Sequence, residues 1–302
     1  MHAKRVTFSM LVLTGFTSIA VAAPPSGHTD WGPWRFDWVA GSQSAGLSIR
    51  NVRYENELVL YKSSMPVVRV QYAGDGCGPY ADKLGESTLQ PVSFCGNNTV
   101  CQRSFASGGR QWLELGILAK LGAYRMYQVY YFSNDGYIAP HIFSKGLQCN
   151  LNHDHHPYWR YDFDINGFSS DQVFVYDNNR PNQGWGPGWL KYTSELNDNK
   201  NSSTNRVWFV RDNPTGHGSW VLPGSADGSV NTFSNKDIGA RRYHGAEDEG
   251  WPFGASGHLG YGNSESIQET DVILWYAAHM PHSAAEGSNV WHSVGPWLLV
   301  HR

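Results

Sequence analysis

The chain has 302 residues, 23 Lys and Arg against 26 Asp and Glu, and a formal net charge of −3. Its charged fraction is 16%, against roughly 25% in ordinary domains, and 13 Trp, 16 Tyr and 13 Phe supply ample surface to bury. Composition therefore excludes a disordered chain, collagen and a coiled coil, and with no basic excess to release counterions a nucleic-acid binder is not expected.

Lys4 and Arg5 precede an apolar run over about 6–21, and Ala20-Val21-Ala22 offers a small-residue cleavage site before Pro24-Pro25. This predicts a secretory signal peptide over 1–22, too short for a membrane span, then one domain over 23–302 in a secreted or periplasmic protein. Export permits disulfides among Cys77, Cys95, Cys101 and Cys149. Three pairings exist and spacing alone does not choose between them, although Cys95 and Cys101 flank a Gly-Asn-Asn turn that suits a local bridge.

Strand-like runs follow at Leu58–Tyr61, Val67–Tyr72 and Tyr127–Phe132. Asn134-Asp135-Gly136 then predicts a hairpin turn into Tyr137–Phe143. Leu113–Leu121 reads equally as helix or strand. Val173–Tyr176, Val207–Val210, Val272–Tyr276 and Trp297–Val300 complete the set, with long loops expected over 194–204 and 245–265. Many short strands with Gly, Asn and Asp turns predict an all-β sandwich or barrel.

Chemistry concentrates at Asn152-His153-Asp154-His155-His156. On a strand His153 and His155 face the same way and can share a metal ion. A third ligand can come from His279 or His282, and imidazoles suit copper or zinc.

The stretch His153–Gly167 resembles the copper amine oxidase motif, His-x-His followed by Arg-Leu-Asp and a closing Asp-Gly, with Asn166-Gly167 standing here as the closing pair. The stretch Ser266–His282 resembles that family's third-ligand strand, with Asp271, Trp275 and His282 at the family spacing. Arg206–Pro214, Val294–Leu299 and Tyr61–Tyr72 are similar to three further strands of the family. The likeness covers only the large catalytic domain. It implies a large antiparallel β-sandwich, copper held by His153, His155 and His282, and oxidative deamination of a primary amine to aldehyde, ammonia and hydrogen peroxide.

The family makes topaquinone from a chain tyrosine, and the register set by Phe132–Gly136 places Tyr124 at that position. Lys120, Ala123, Arg125 and Met126 replace the usual flanking residues. The resemblance further implies Asp82, before Gly85-Glu86, as the base that takes the α-proton, with Asp75 as its rival. It also implies Tyr72 as the group that hydrogen-bonds a quinone oxygen.

Asp162 and Asp164 lie at odd offsets from His155, and Asp271 at an odd offset from His282. On regular strands the three carboxylates face away from the histidine ligands and can share a hard cation such as calcium. The resemblance agrees and adds the carbonyls of Phe163 and Val272. The expected partners are a small-molecule primary amine and O2, with no nucleic acid, no membrane and a homodimer as the assembly to test. The alternative is a secreted copper-binding protein of the same fold that lacks topaquinone. A more remote third reading is an aromatic-rich carbohydrate-binding sandwich.

Overall fold

The computed structural model describes residues 25–42, 45–74, 76–245 and 262–302. The expected signal peptide, Asp75 and most of the expected loop 245–265 lie outside the described residues. Runs rich in β-branched and aromatic residues pair as strands throughout, and no α-helix occurs among the described residues.

In chain order the strands are β1 (Ser26–Trp31), β2 (Trp34–Ser42), β3 (Gly46–Tyr54), β4 (Glu57–Tyr72), β5 (Tyr80–Asp82), β6 (Thr88–Gln90), β7 (Val100–Ser107), β8 (Arg110–Leu121), β9 (Tyr124–Ser133) and β10 (Tyr137–Lys145). They continue with β11 (His153–Phe163), β12 (Asp171–Tyr176), β13 (Trp189–Tyr192), β14 (Leu196–Asp198), β15 (Val207–Asp212), β16 (Gly218–Leu222), β17 (Ile238–Arg242), β18 (Val272–Ala277), β19 (Met280–His282), β20 (His292–Val294) and β21 (Trp297–His301). One antiparallel sheet runs β1-β2-β3-β4-β11-β18-β17-β14, with β5 on β4 and β19 on β11. The other runs β13-β12-β15-β16-β21-β10-β9-β8-β6, with β7 on β8 and β20 on β10.

The sheets pack face to face, as the large antiparallel β-sandwich expected from the sequence. Phe36 of β2 stacks on Phe132 of β9 with ring centroids 4.3 Å apart. Trp34 and Trp159, fully buried, belong to the same core, and the indole N–H of Trp34 donates to the Ser133 carbonyl at 2.6 Å. Gln128 spans the sheets: its Oε1 accepts from Leu47 N at 2.9 Å and its Nε2 donates to the Leu47 carbonyl at 2.7 Å. A buried amide is tolerated only when its groups are met in this way.

The Asn134-Asp135-Gly136 hairpin joins β9 to β10 as expected, with Ser133 Oγ donating to Asp135 at 2.6 Å. One open reading is settled and two need correction. Leu113–Leu121 is strand: β8 is buried on both faces along most of its length, and such a strand shows a continuous apolar run without alternation. Leu58–Tyr61 and Val67–Tyr72 are two ends of β4, because Lys62, Ser63 and Ser64 between them are buried and paired to β11. Pro66 sits where the β4–β11 register shifts, a position that spares a ladder hydrogen bond. The expected loop 194–204 contains β14 and a 3₁₀ turn, Ser202–Thr204. Strands β1 to β3 had no counterpart in the sequence reading.

The disulfides are Cys95–Cys101, the local candidate, and Cys77–Cys149, which ties the loop after β4 to the loop before β11. Both fit an oxidising compartment. No helix among the described residues is long and apolar enough to cross a membrane.

Candidate metal and cofactor site

Three neighbouring strands bring the site together at one level. Tyr72 at the end of β4 and His282 at the end of β19 are both register partners of His153, the first residue of β11. The opposing sheet contributes Tyr124, the first residue of β9. The His153 ring lies 4.8 Å from that of His155 and 4.7 Å from that of His282, centroid to centroid. Tyr124 meets His155 edge-on at 4.8 Å.

Hydrogen-bond directions here follow from chemistry. The Leu151 carbonyl, 3.0 Å from His153 Nδ1, can only accept, so Nδ1 carries the hydrogen. Burial lowers the pKa of His153 and keeps the ring neutral, which makes Nε2 an acceptor. The Tyr124 hydroxyl, 3.2 Å away, therefore donates to Nε2. It accepts in turn from the Gln148 backbone N–H at 3.2 Å and from the Tyr72 hydroxyl at 2.7 Å.

The residues present suit a metal ion with imidazole ligands. His155 Nε2 is sealed from solvent and has no hydrogen-bond partner. Burial, then the neighbouring His153 and His282, push the His155 pKa well down, leaving a neutral donor. His153 offers Nε2. His282 donates from Nε2 to the Gly287 carbonyl at 3.0 Å, which leaves its Nδ1 lone pair free. Such outer hydrogen bonds fix the tautomer of a metal-binding imidazole. A cleft of about 450 Å³, lined in part by Tyr72, Asn152, His153 and His282, opens this end of the sandwich.

Asp82 ends β5, which pairs with β4 on the same side of the molecule. Burial raises its pKa to about 6, and burial first, with the Asp82 charge as a smaller contribution, raises those of Tyr72 and Tyr124. The structure therefore brings Tyr72, Asp82 and Tyr124 into electrostatic range of one another.

His156 and His279 turn to the other face of the sheet. There His156 Nδ1 lies 2.8 Å from His279 Nδ1, and His279 Nε2 lies 3.0 Å from Asp237 Oδ1. At the far end of β11, one oxygen each from Asp162, Asp164 and Asp271 lie within 4.8 Å of one another. Phe163 and Val272 are opposite each other in the ladder beside them. Burial and the neighbouring carboxylates raise Asp164 to about 6 and Asp271 to about 7. Arg160 Nη1 donates to Asp162 at 3.3 Å.

Sequence reasoning missed four contributors. Gln148 acts through its backbone, which no side-chain pattern announces. Gly146, with φ +137°, lets its loop press on Tyr124: an added Cβ would lie 2.6 Å from the Ala123 carbonyl oxygen. Glu286 and His292 lie beyond the motif that ends at His282, and the ring of His292 is 4.5 Å from that of His282.

This arrangement of two sheets is the catalytic-domain fold of the copper amine oxidases. The chain is similar to an amine oxidase from Aspergillus nidulans, with a TM-score of 0.72 and 15% identity over 91% of this chain and 51% of that one. It is similar to a copper-containing benzylamine oxidase from Hansenula polymorpha, with a TM-score of 0.68 and 14% identity over 96% and 64% of the two chains. It is also similar to the Pichia pastoris lysyl oxidase, with a TM-score of 0.68 and 13% identity over 91% and 51%. The chain thus spans about half to two thirds of the length of these proteins, and the likeness is one of fold. No protein-family profile matches the chain, and no curated protein matches it in sequence.

Proposed function

We propose that the chain is a copper- and quinone-dependent primary-amine oxidase, turning a primary amine, O2 and water into aldehyde, ammonia and hydrogen peroxide. The observation that carries this reading is the buried Tyr124 hydroxyl, 2.7 Å from the Tyr72 hydroxyl and 3.2 Å from His153 Nε2. A phenol against the neutral imidazoles of His153 and His155 suits oxidation of a chain tyrosine by a copper ion held there.

His153 Nε2, His155 Nε2 and His282 Nδ1 would hold copper, and Tyr124 would be the topaquinone precursor. Copper and the quinone together supply the two-electron oxidation of the amine and the transfer of those electrons to O2. The rest falls to the chain. Tyr72 holds the oxygen on Tyr124 by donating its hydroxyl hydrogen. The Gln148 N–H holds the same oxygen from a second direction. Asp82, with a pKa of about 6, is ionised at neutral pH and basic enough to accept the proton from the substrate carbon. Asp162, Asp164 and Asp271 would hold a calcium ion that braces β11 against β18.

Lys120, Ala123, Arg125 and Met126 depart from the family residues around the precursor tyrosine, and they favour a second reading, a copper-binding protein without the quinone. Copper-loaded protein kept in air and given benzylamine or a short alkylamine separates the two. Peroxide and aldehyde formation, lost in Tyr124→Phe, supports the oxidase. One bound copper with no peroxide supports the second reading, and no bound copper refutes both.

A further inference from the structure

Beyond the three histidines considered for copper, the outer nitrogen of His282 belongs to a second cluster. One ligand atom each from His282, Glu286 and His292 lie within 4.8 Å of one another. His282 Nε2 is 3.9 Å from Glu286 Oε2, and His292 Nε2 is 3.2 Å from the same oxygen. Two ligands bound tetrahedrally at about 2.1 Å lie about 3.4 Å apart, so these separations are close to those of a filled site. His292 Nε2 is buried and makes no hydrogen bond. Glu286 is half-exposed on a 3₁₀ turn, Ala284–Glu286, which gives an ion a route in from solvent.

We propose that His282 Nε2, Glu286 and His292 Nε2 form a second cation site, for a borderline divalent ion such as zinc. Two imidazoles and one carboxylate form a zinc ligand set with a position left for water. Binding turns Nε2 from the Gly287 carbonyl and moves its hydrogen: the hydrogen passes to Nδ1 where that atom holds no ion, and leaves to solvent where it does. With an ion also on Nδ1, the His282 imidazolate bridges two metals. The outer site needs Glu286 and His292 but neither His153 nor His155, so it stands whether or not copper binds.

The test is zinc uptake by equilibrium dialysis with metal analysis. In a His155→Ala background, which lacks the inner site, the protein should bind one zinc. Adding Glu286→Gln or His292→Ala should lower zinc affinity at least about tenfold, since loss of even an outer hydrogen-bond partner of a ligand costs that much. Wild-type protein already carrying one copper should take up one zinc, and Glu286→Gln should keep the copper and lose the zinc. Zinc uptake unchanged by Glu286→Gln or His292→Ala, or no zinc bound in the His155→Ala background, overturns the proposal. Glu286 is half-exposed, so Glu286→Gln keeps the test open if His292→Ala fails to fold.

Discussion

The Tyr124 hydroxyl and Nε2 of His153 share one hydrogen across 3.2 Å, so the phenol and a metal ion compete for the same imidazole lone pair. Burial raises the pKa of Tyr124, and a cation on His153 would oppose that shift. Copper loading with O2 excluded, which leaves Tyr124 a phenol, should therefore move the ultraviolet titration of one tyrosine to lower pH, and Tyr124→Phe should abolish the movement. The same variant should bind copper at least as tightly as wild type and produce no amine-dependent peroxide. It leaves the Gln148 N–H and the Tyr72 hydroxyl without their acceptor, so urea unfolding should show a loss of about 1–3 kcal/mol.

In the proposed oxidase, Asp82 should set the acid limb of activity. Its pKa is raised to about 6 by burial, and only the ionised form accepts a proton. The rate should rise with pH through about 6 and level off above it. Asp82→Asn should lower kcat by about 10²–10⁴-fold, as removal of a general base does, and flatten the rise. An unchanged pH profile in Asp82→Asn would transfer the role to another group.

The carboxylates at the far end of β11 give stability a pH dependence that calcium should reverse. Asp164 and Asp271 have folded pKa values of about 6 and 7, above the unfolded value of about 3.9. A carboxyl raised on folding adds stability below its unfolded pKa, and that stability is lost as pH rises through the folded value. In chelator, the Tm should fall between pH 4 and pH 7. Calcium should raise the Tm at pH 7 and leave it almost unchanged at pH 4. A calcium response that survives in the Asp162→Ala, Asp164→Ala double variant would place the ion elsewhere.

Gly146 keeps the loop before β11 in contact with Tyr124. Its φ of +137° and the 2.9 Å approach of an added Cβ to Tyr124 Cδ1 leave no room for a side chain. Gly146→Ala should cost about 1–3 kcal/mol in urea unfolding. Displacing Gln148 should also lower kcat without loss of bound copper.

Local patterns carried much of the fold and part of the site. The Asn134-Asp135-Gly136 turn was legible because hairpin geometry demands those residue types, and it fixed where Tyr124 begins β9. Tyr72, His153 and His282 were legible through their motifs. Their meeting at one level depends on strand register, which one strand's sequence does not state. Strand β4 was split in two because Lys62, Ser63 and Ser64 are polar, although they lie buried between β3 and β11. The Cys77–Cys149 pairing spans 72 residues and follows from the sandwich bringing two loops together. Glu286 and His292 were missed because a turn separates them from the strand pattern that revealed His282.

The most direct measurement is the visible spectrum of the protein loaded with copper in air and then denatured in a redox-cycling quinone stain. The expected result is one copper per chain, a visible band that develops with O2, and a stain on the peptide containing Tyr124 that is absent in Tyr124→Phe. Stoichiometric copper with neither band nor stain would contradict it.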